Sequence, residues 1–179
     1  MNRTLALAAA ILLAPLSAAA DEDPLAPARG GALQCYKPDT ANKTCRALAG
    51  YTFDANGGIL NQAEVLLLSS PLVVIKSVSP VAMKDGAVCG PMRREDIEAA
   101  TILVGGHPLS AGNASSAKAR IEAALGDRLG QEFCTTYMPQ GAGFTTRVTI
   151  GGVEAPDQTA TVIWVQPADG YTVAPPALP

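Results

Sequence analysis

Apolar residues recur along this chain with two different periods. Dense runs of aliphatic, β-branched and aromatic residues occupy TCRALAGYTF (44–53), AEVLLLSS (63–70), PLVVIKSV (71–78), FTTRVTIGG (144–152) and TATVIWVQP (159–167). Such runs suit strands with at least one buried face. Turn formers separate them. Asp54 to Gly58 reads DANGG, Pro71 and Pro80 punctuate the middle runs, and Asp85-Gly86 leads into a short strand around Cys89. These dipeptides favour turns because glycine and asparagine accept positive φ and proline presets it.

The period changes after Ser110. Ala117, Ile121, Leu125 and Leu129 repeat every four residues with Ala114 and Ala124 beside them, while Lys118, Arg120, Glu122, Asp127 and Arg128 fall mostly off that stripe. Ser110 is placed to cap this helix and Gly130 to stop it. REDIEA (94–99) suits one helical turn, and ATILVGGHPL (100–109) a strand running into a Gly-Gly turn. Together these elements predict an α+β domain, a mostly antiparallel sheet with one amphipathic helix at about 111–129 laid on one face.

The two ends read differently from the middle. MNRTLALAAAILLAPLSAAA has a basic start at Arg3, an apolar run from Leu5 to Leu16 broken by Pro15, and Ala18-Ala19-Ala20 ahead of Asp21. That pattern predicts a cleaved signal peptide over 1–20 and export to a periplasmic or extracellular compartment. The run is too short to span about 30 Å of hydrocarbon as a helix, and no later segment predicts a span. DEDPLAPARGGA (21–32) combines acids, two prolines and a glycine pair, which predicts a flexible leader. A single globular domain over 33–176 and a short tail at 177–179 complete the expected organisation.

Two segments echo one another. GYTFDANGGIL (50–60) and GFTTRVTIGGVEA (143–155) share a Gly-aromatic-Thr start and a Gly-Gly turn. VVIKSVSPVAMKDGAVCGP (73–91) and TVIWVQPADGYTVAPP (161–176) both run from Val-Ile through Pro and Ala to Asp-Gly. One reading is a duplicated β-unit, 45–91 and 134–176 joined by 92–133; the other is common turn chemistry used twice.

Cysteine usage and charge narrow the picture. Cys35, Cys45, Cys89 and Cys134 are an even set in an exported chain and predict two disulfides. Cys35–Cys45 with Cys89–Cys134 is the favoured pairing, because CYKPDTANKTC closes a short, polar, turn-rich loop by itself. Without the leader the chain holds 12 basic against 16 acidic residues, a net charge of about −4 with neither sign clustered. No basic stripe exists to drive phosphate-backbone binding, which argues against nucleic acid as a partner.

Candidate chemistry is sparse. His107, the single histidine, sits in a Gly-Gly turn and cannot build a multi-histidine metal site. Ser115 and Lys118 match a Ser-x-x-Lys spacing, but the Ser-Asp-Asn and Lys-Thr-Gly elements that accompany it in penicillin-binding enzymes are absent. Asp85 and Asp169 are explained as Asp-Gly turn residues. The DANGG turn lacks the spacing and closing Glu of a calcium loop. Asn42 and Asn113 lie in glycosylation sequons. The sequence therefore predicts no catalytic residues, no metal and no cofactor.

Possible contact residues are Trp164 and Tyr171, read as either core or an aromatic patch near the C-terminal turn, and Lys37 and Lys43 on the disulfide loop. The function expected is that of a non-catalytic exported module that binds an unidentified protein partner or stabilises an envelope assembly. Two alternatives stay open: an inhibitor of an extracellular hydrolase acting through the 36–44 loop, and a small-ligand carrier or an enzyme with unidentified residues.

Overall fold

The computed structural model describes residues 23–175; the expected signal peptide and the 177–179 tail lie outside them. In chain order the elements are helix α1 (Ala26–Arg29) and strands β1 (Leu33–Tyr36), β2 (Thr44–Cys45), β3 (Ala47–Phe53), β4 (Ile59–Leu68), β5 (Val73–Lys84) and β6 (Ala87–Pro91). Helix α2 (Arg94–Ala99), strands β7 (Thr101–Val104) and β8 (His107–Pro108) and helix α3 (Ala111–Leu125) form the middle. Strands β9 (Glu132–Gln140), β10 (Gly143–Ile150), β11 (Val153–Glu154), β12 (Thr161–Val165) and β13 (Thr172–Val173) complete the chain.

The sheet expected from the sequence is a closed barrel. Eight strands follow the order β4-β3-β1-β12-β10-β9-β6-β5, and β5 returns to pair with β4, so no edge is left on this path. All pairings around the ring are antiparallel. Strand β5 is 12 residues long and serves two purposes. Its first residues pair with β7 outside the ring, and its last pair with β6 through the Asp85-Gly86 hairpin. Both turn residues have positive φ, 49° and 75°, which matches the right-handed twist of the flanking strands.

Alternation along each strand sorts side chains inward and outward. Charged outward positions include Glu64, Lys76, Lys84, Glu132 and Arg147, with Lys76–Glu64 and Lys84–Glu132 as ion pairs across neighbouring strands. Among these charged positions the outer surface of β4 and β5 also exposes Leu60, Leu68 and Val78.

Each end of the barrel is covered by helix. Residues 23–32 are not a flexible leader. The Asp23 carboxylate accepts the Leu25 N–H at 2.9 Å and the Arg29 Nε–H at 2.9 Å, turning the chain into α1. Leu25 is fully buried and packs with Ala28 against Phe53, Ile59, Met83 and Trp164. Asp23 here fixes the turn ahead of the helix and Pro27 sits in its first turn, a structure that composition alone does not reveal. At the other end α3 lays Ala117 and Ile121 over Ile75, Ala100 and Ile102. The helix ends at Gly126 (φ 51°), its N-cap Ser110 makes no side-chain cap bond, and a 3-10 turn (Gly126–Arg128) follows.

A smaller core lies outside the barrel wall. Cys35 and Cys45 are joined by a disulfide and pack with Leu48, Leu66, Val74, Val165 and Val173. Strand β13 leaves the barrel to pair parallel with β2, and Lys43 Nζ donates to the Asp169 carbonyl at 2.9 Å. The two echoing segments use their shared residues in different turns. Asp85-Gly86 closes a two-residue hairpin, whereas Asp169 belongs to a 3-10 turn (Pro167–Asp169) that sends β13 away.

Candidate functional site

The barrel is hollow. Strand register sets inward-facing Ala49 beside Ala63, and Ala63 beside Ser77. One step along, Ala47 and Val65 are paired, as are Tyr51 and Asn61. Inward side chains of this size cannot reach the far wall, where Thr135 and Val148 are paired. An eight-stranded barrel is just wide enough for its side chains to fill it or to hold one small ligand. A row of small residues on one side therefore leaves a cavity of about 530 Å³ inside. Its walls are mostly alanine, valine, leucine, isoleucine and aromatic carbon, with Asn61, Ser77, Ser79 and Thr135 as polar points.

The end nearer α1 carries a convergent polar cluster. Tyr51 Oη donates to Gln34 Oε1 at 2.8 Å, and Tyr36 Oη and Tyr137 Oη lie 3.0 and 3.1 Å from the same oxygen. Tyr36 and Tyr137 also touch hydroxyl to hydroxyl. Gln34 is fully buried, and its Nε2 has no hydrogen-bond partner. Burial pushes all three phenols above their ordinary pKa. The Tyr137 phenol pushes Tyr36 and Tyr51 further in the same direction, while at Tyr137 itself hydrogen bonds oppose the shift. The cluster is therefore neutral through the physiological range.

The opposite end is ringed by residues of α2 and α3. Asp96, Ile97, Ile121 and Leu125 line it with Met92 and Arg93. Arg93 grips Asp96 through Nε–Oδ2 at 3.1 Å and through Nη2–Oδ1, and its Nη1 is 3.4 Å from Glu95. Arg94 pairs with Glu122, and Lys118 Nζ donates to the Glu98 carbonyl at 2.6 Å, tying α3 to α2.

The residues singled out from the sequence lie elsewhere. Cys89 and Cys134 form the second disulfide directly across β6 and β9. With Glu132 they are the one cluster of potential metal ligands among the described residues, but both sulfurs are committed to each other and Glu132 is paired with Lys84. Trp164 packs with the Leu25 cluster at the α1 end, whereas Tyr171 packs outside against the Cys35–Cys45 core, so they form no shared patch. Lys37 and Lys43 are exposed, both at positive φ (49° and 52°) on the disulfide loop. His107 is exposed at a hairpin turn. Ser115 donates back to the Ala111 carbonyl at 3.0 Å and Lys118 is held by α2, so neither acts on the other.

Sequence reasoning missed Gln34, Tyr36, Tyr51, Tyr137 and the small-residue row. A signal was present. Tyr51 falls in a predicted strand run, and ALAGY places alanine at two successive inward positions of β3. Only closure of the sheet makes those positions face one another.

Comparison with known proteins returns nothing: no family model, no curated protein and no solved structure matches the chain.

Proposed function

We propose that this protein is a non-catalytic, exported binding protein that holds one small, mainly apolar ligand inside its barrel. The observation that carries the reading is the Ala49–Ala63–Ser77 row and the 530 Å³ cavity it leaves. Protein interiors are normally packed to crystal density, and an unfilled cavity lowers stability in proportion to its size. A space of this volume, apolar with a few convergent polar groups, matches the general character of ligand sites. The two disulfides fit an oxidising compartment, and no helix of the described residues is long and apolar enough to cross a membrane.

The test is titration with N-phenyl-1-naphthylamine, an uncharged fluorophore that brightens in apolar surroundings. Saturable one-to-one binding is expected, with Ala63→Phe and Ser77→Phe filling the cavity and abolishing it while the fold persists by circular dichroism. Absence of saturable binding, or full binding in both folded variants, would overturn the proposal.

A hydrolase inhibitor is the second reading. It is favoured by a rigid exposed loop: the Cys35–Cys45 bridge, Asp39 accepting the Asn42 N–H at 3.1 Å, and Lys43 anchored to Asp169. Preorganised loops lose little entropy on binding. Inhibition of a panel of extracellular proteases and lysozymes, present without reductant and lost with it, would establish this reading.

A further inference from the structure

We infer that the ligand is an uncharged amphiphile, an apolar body bearing one hydroxyl or carbonyl group, bound with that group at the Tyr36–Tyr51–Tyr137 cluster. This rests on the ligand-binding reading and adds the ligand's charge and orientation to it.

The lining holds only two ionised side chains, Arg93 and Asp96, and they neutralise each other through paired contacts. Glu95 adds a second carboxylate to the same guanidinium, so the three groups together carry a net charge of −1. An anionic head group at this rim meets repulsion and finds no free cation. An ammonium finds Asp96 already engaged by Arg93, and deeper in the barrel there is no anion to meet it. Burying an unpaired charge costs far more than burying a hydroxyl that finds a partner.

The far end offers what a neutral polar group requires. Gln34 Oε1 has two lone pairs, yet three hydroxyls lie within 3.1 Å of it. One hydroxyl proton must therefore be passed between phenols, as the Tyr36–Tyr137 contact allows. Phenol oxygens then keep lone pairs to spare, and the protons can be redistributed. Such a cluster can donate to a carbonyl, or accept from a hydroxyl and donate back. Gln34 Nε2, on the same side chain, is buried without a partner. Burial holds the phenols neutral, and the setting that disfavours a phenolate disfavours a carboxylate equally.

Three ligands sharing one chain, decanol, decanoate and decylammonium, are titrated at neutral pH against bound N-phenyl-1-naphthylamine. Decanol should displace the fluorophore at concentrations about tenfold or more below those of either ion, a gap of about 1.4 kcal/mol. Tyr137→Phe should weaken decanol about tenfold relative to the fluorophore, with Tyr51→Phe as the substitute if that variant does not fold. Equal or tighter displacement by decanoate or decylammonium would overturn the inference, as would an unchanged ratio in a folded Tyr→Phe variant. Failure of the fluorophore to bind the wild-type protein would instead remove the ligand-binding reading, and this inference with it.

Discussion

The two ends of the barrel are closed by opposite means. At the α1 end one helical turn inserts Leu25, wholly buried, into a ring of Tyr51, Phe53, Ile59, Val81, Val88 and Trp164. Arg29 closes over that ring from outside, its guanidinium 4.2 Å from the Phe53 centroid. At the α2–α3 end a helix of 15 residues, none of them buried, rests Ala117 and Ile121 on Ile75, Ala100 and Ile102 and is tied to α2 by the Arg94–Glu122 ion pair and a lysine-to-carbonyl bond. Apolar insertion is stabilising in proportion to the area removed from water, whereas half-exposed ion pairs contribute little and are screened by salt. The lesson is one of division of labour. The α1 end is part of the core, and the α2–α3 end is the route by which we propose that a ligand enters.

Three experiments would break or sharpen this contrast, and the largest effect comes from pH. Tyr36, Tyr51 and Tyr137 have folded pKa values raised above the unfolded value of about 10. Their protonated forms are favoured by folding, so that stability is complete below about pH 10 and is lost as pH rises beyond it. By about pH 11 each phenol should cost about 1.4 kcal/mol, or about 4 kcal/mol for the three. Melting temperature should fall steeply over that interval, with phenolate absorbance of the cluster appearing together with unfolding. Titration of all the tyrosines in the folded protein would contradict the buried cluster.

The plug comes second. Leu25→Ala should destabilise by about 3 kcal/mol, lowering the melting temperature by roughly 10 °C. A change near zero would mean that α1 merely rests on the barrel. The smallest effect is expected at the helical end. Glu122→Gln removes the partner of Arg94 and should cost less than about 1 kcal/mol. Its signature would be kinetic, a release of N-phenyl-1-naphthylamine roughly threefold faster in stopped flow at nearly unchanged melting temperature. A large thermal shift with unaltered release would make α3 a structural lid and move the route inward elsewhere.

What could be read from the sequence follows how local each signal is. Helix α3, the turn at Asp85-Gly86 and most strand runs are written in residues a few positions apart, although α3 stops at Gly126 and not Gly130, and β5 runs through Pro80, which the pattern predicts to break it. The disulfide pairing follows from one short loop in the same way. Closure is different. It depends on β1 meeting β12 and β6 meeting β9, contacts between segments far apart in sequence, and no local pattern announces them. The cavity is less legible still, because Ala49, Ala63 and Ser77 are unremarkable until register sets them side by side. Asp23 and Pro27 misled for a related reason. The same residue types that mark a loose leader also start a helix, and only the buried Leu25 between them distinguishes the two.

The pairing of β1 with β12 sets an order of events. Strands β3 to β6 are successive neighbours and can form a meander from local contacts alone. The two seams of longest range join Leu33–Tyr36 to Thr161–Val165 and Ala87–Pro91 to Glu132–Gln140, the latter fastened by Cys89–Cys134. Contacts of such separation form late and slowly, because the intervening chain must first be brought together. Until Val165 is in place there is a curved sheet with an open groove and no inside at all.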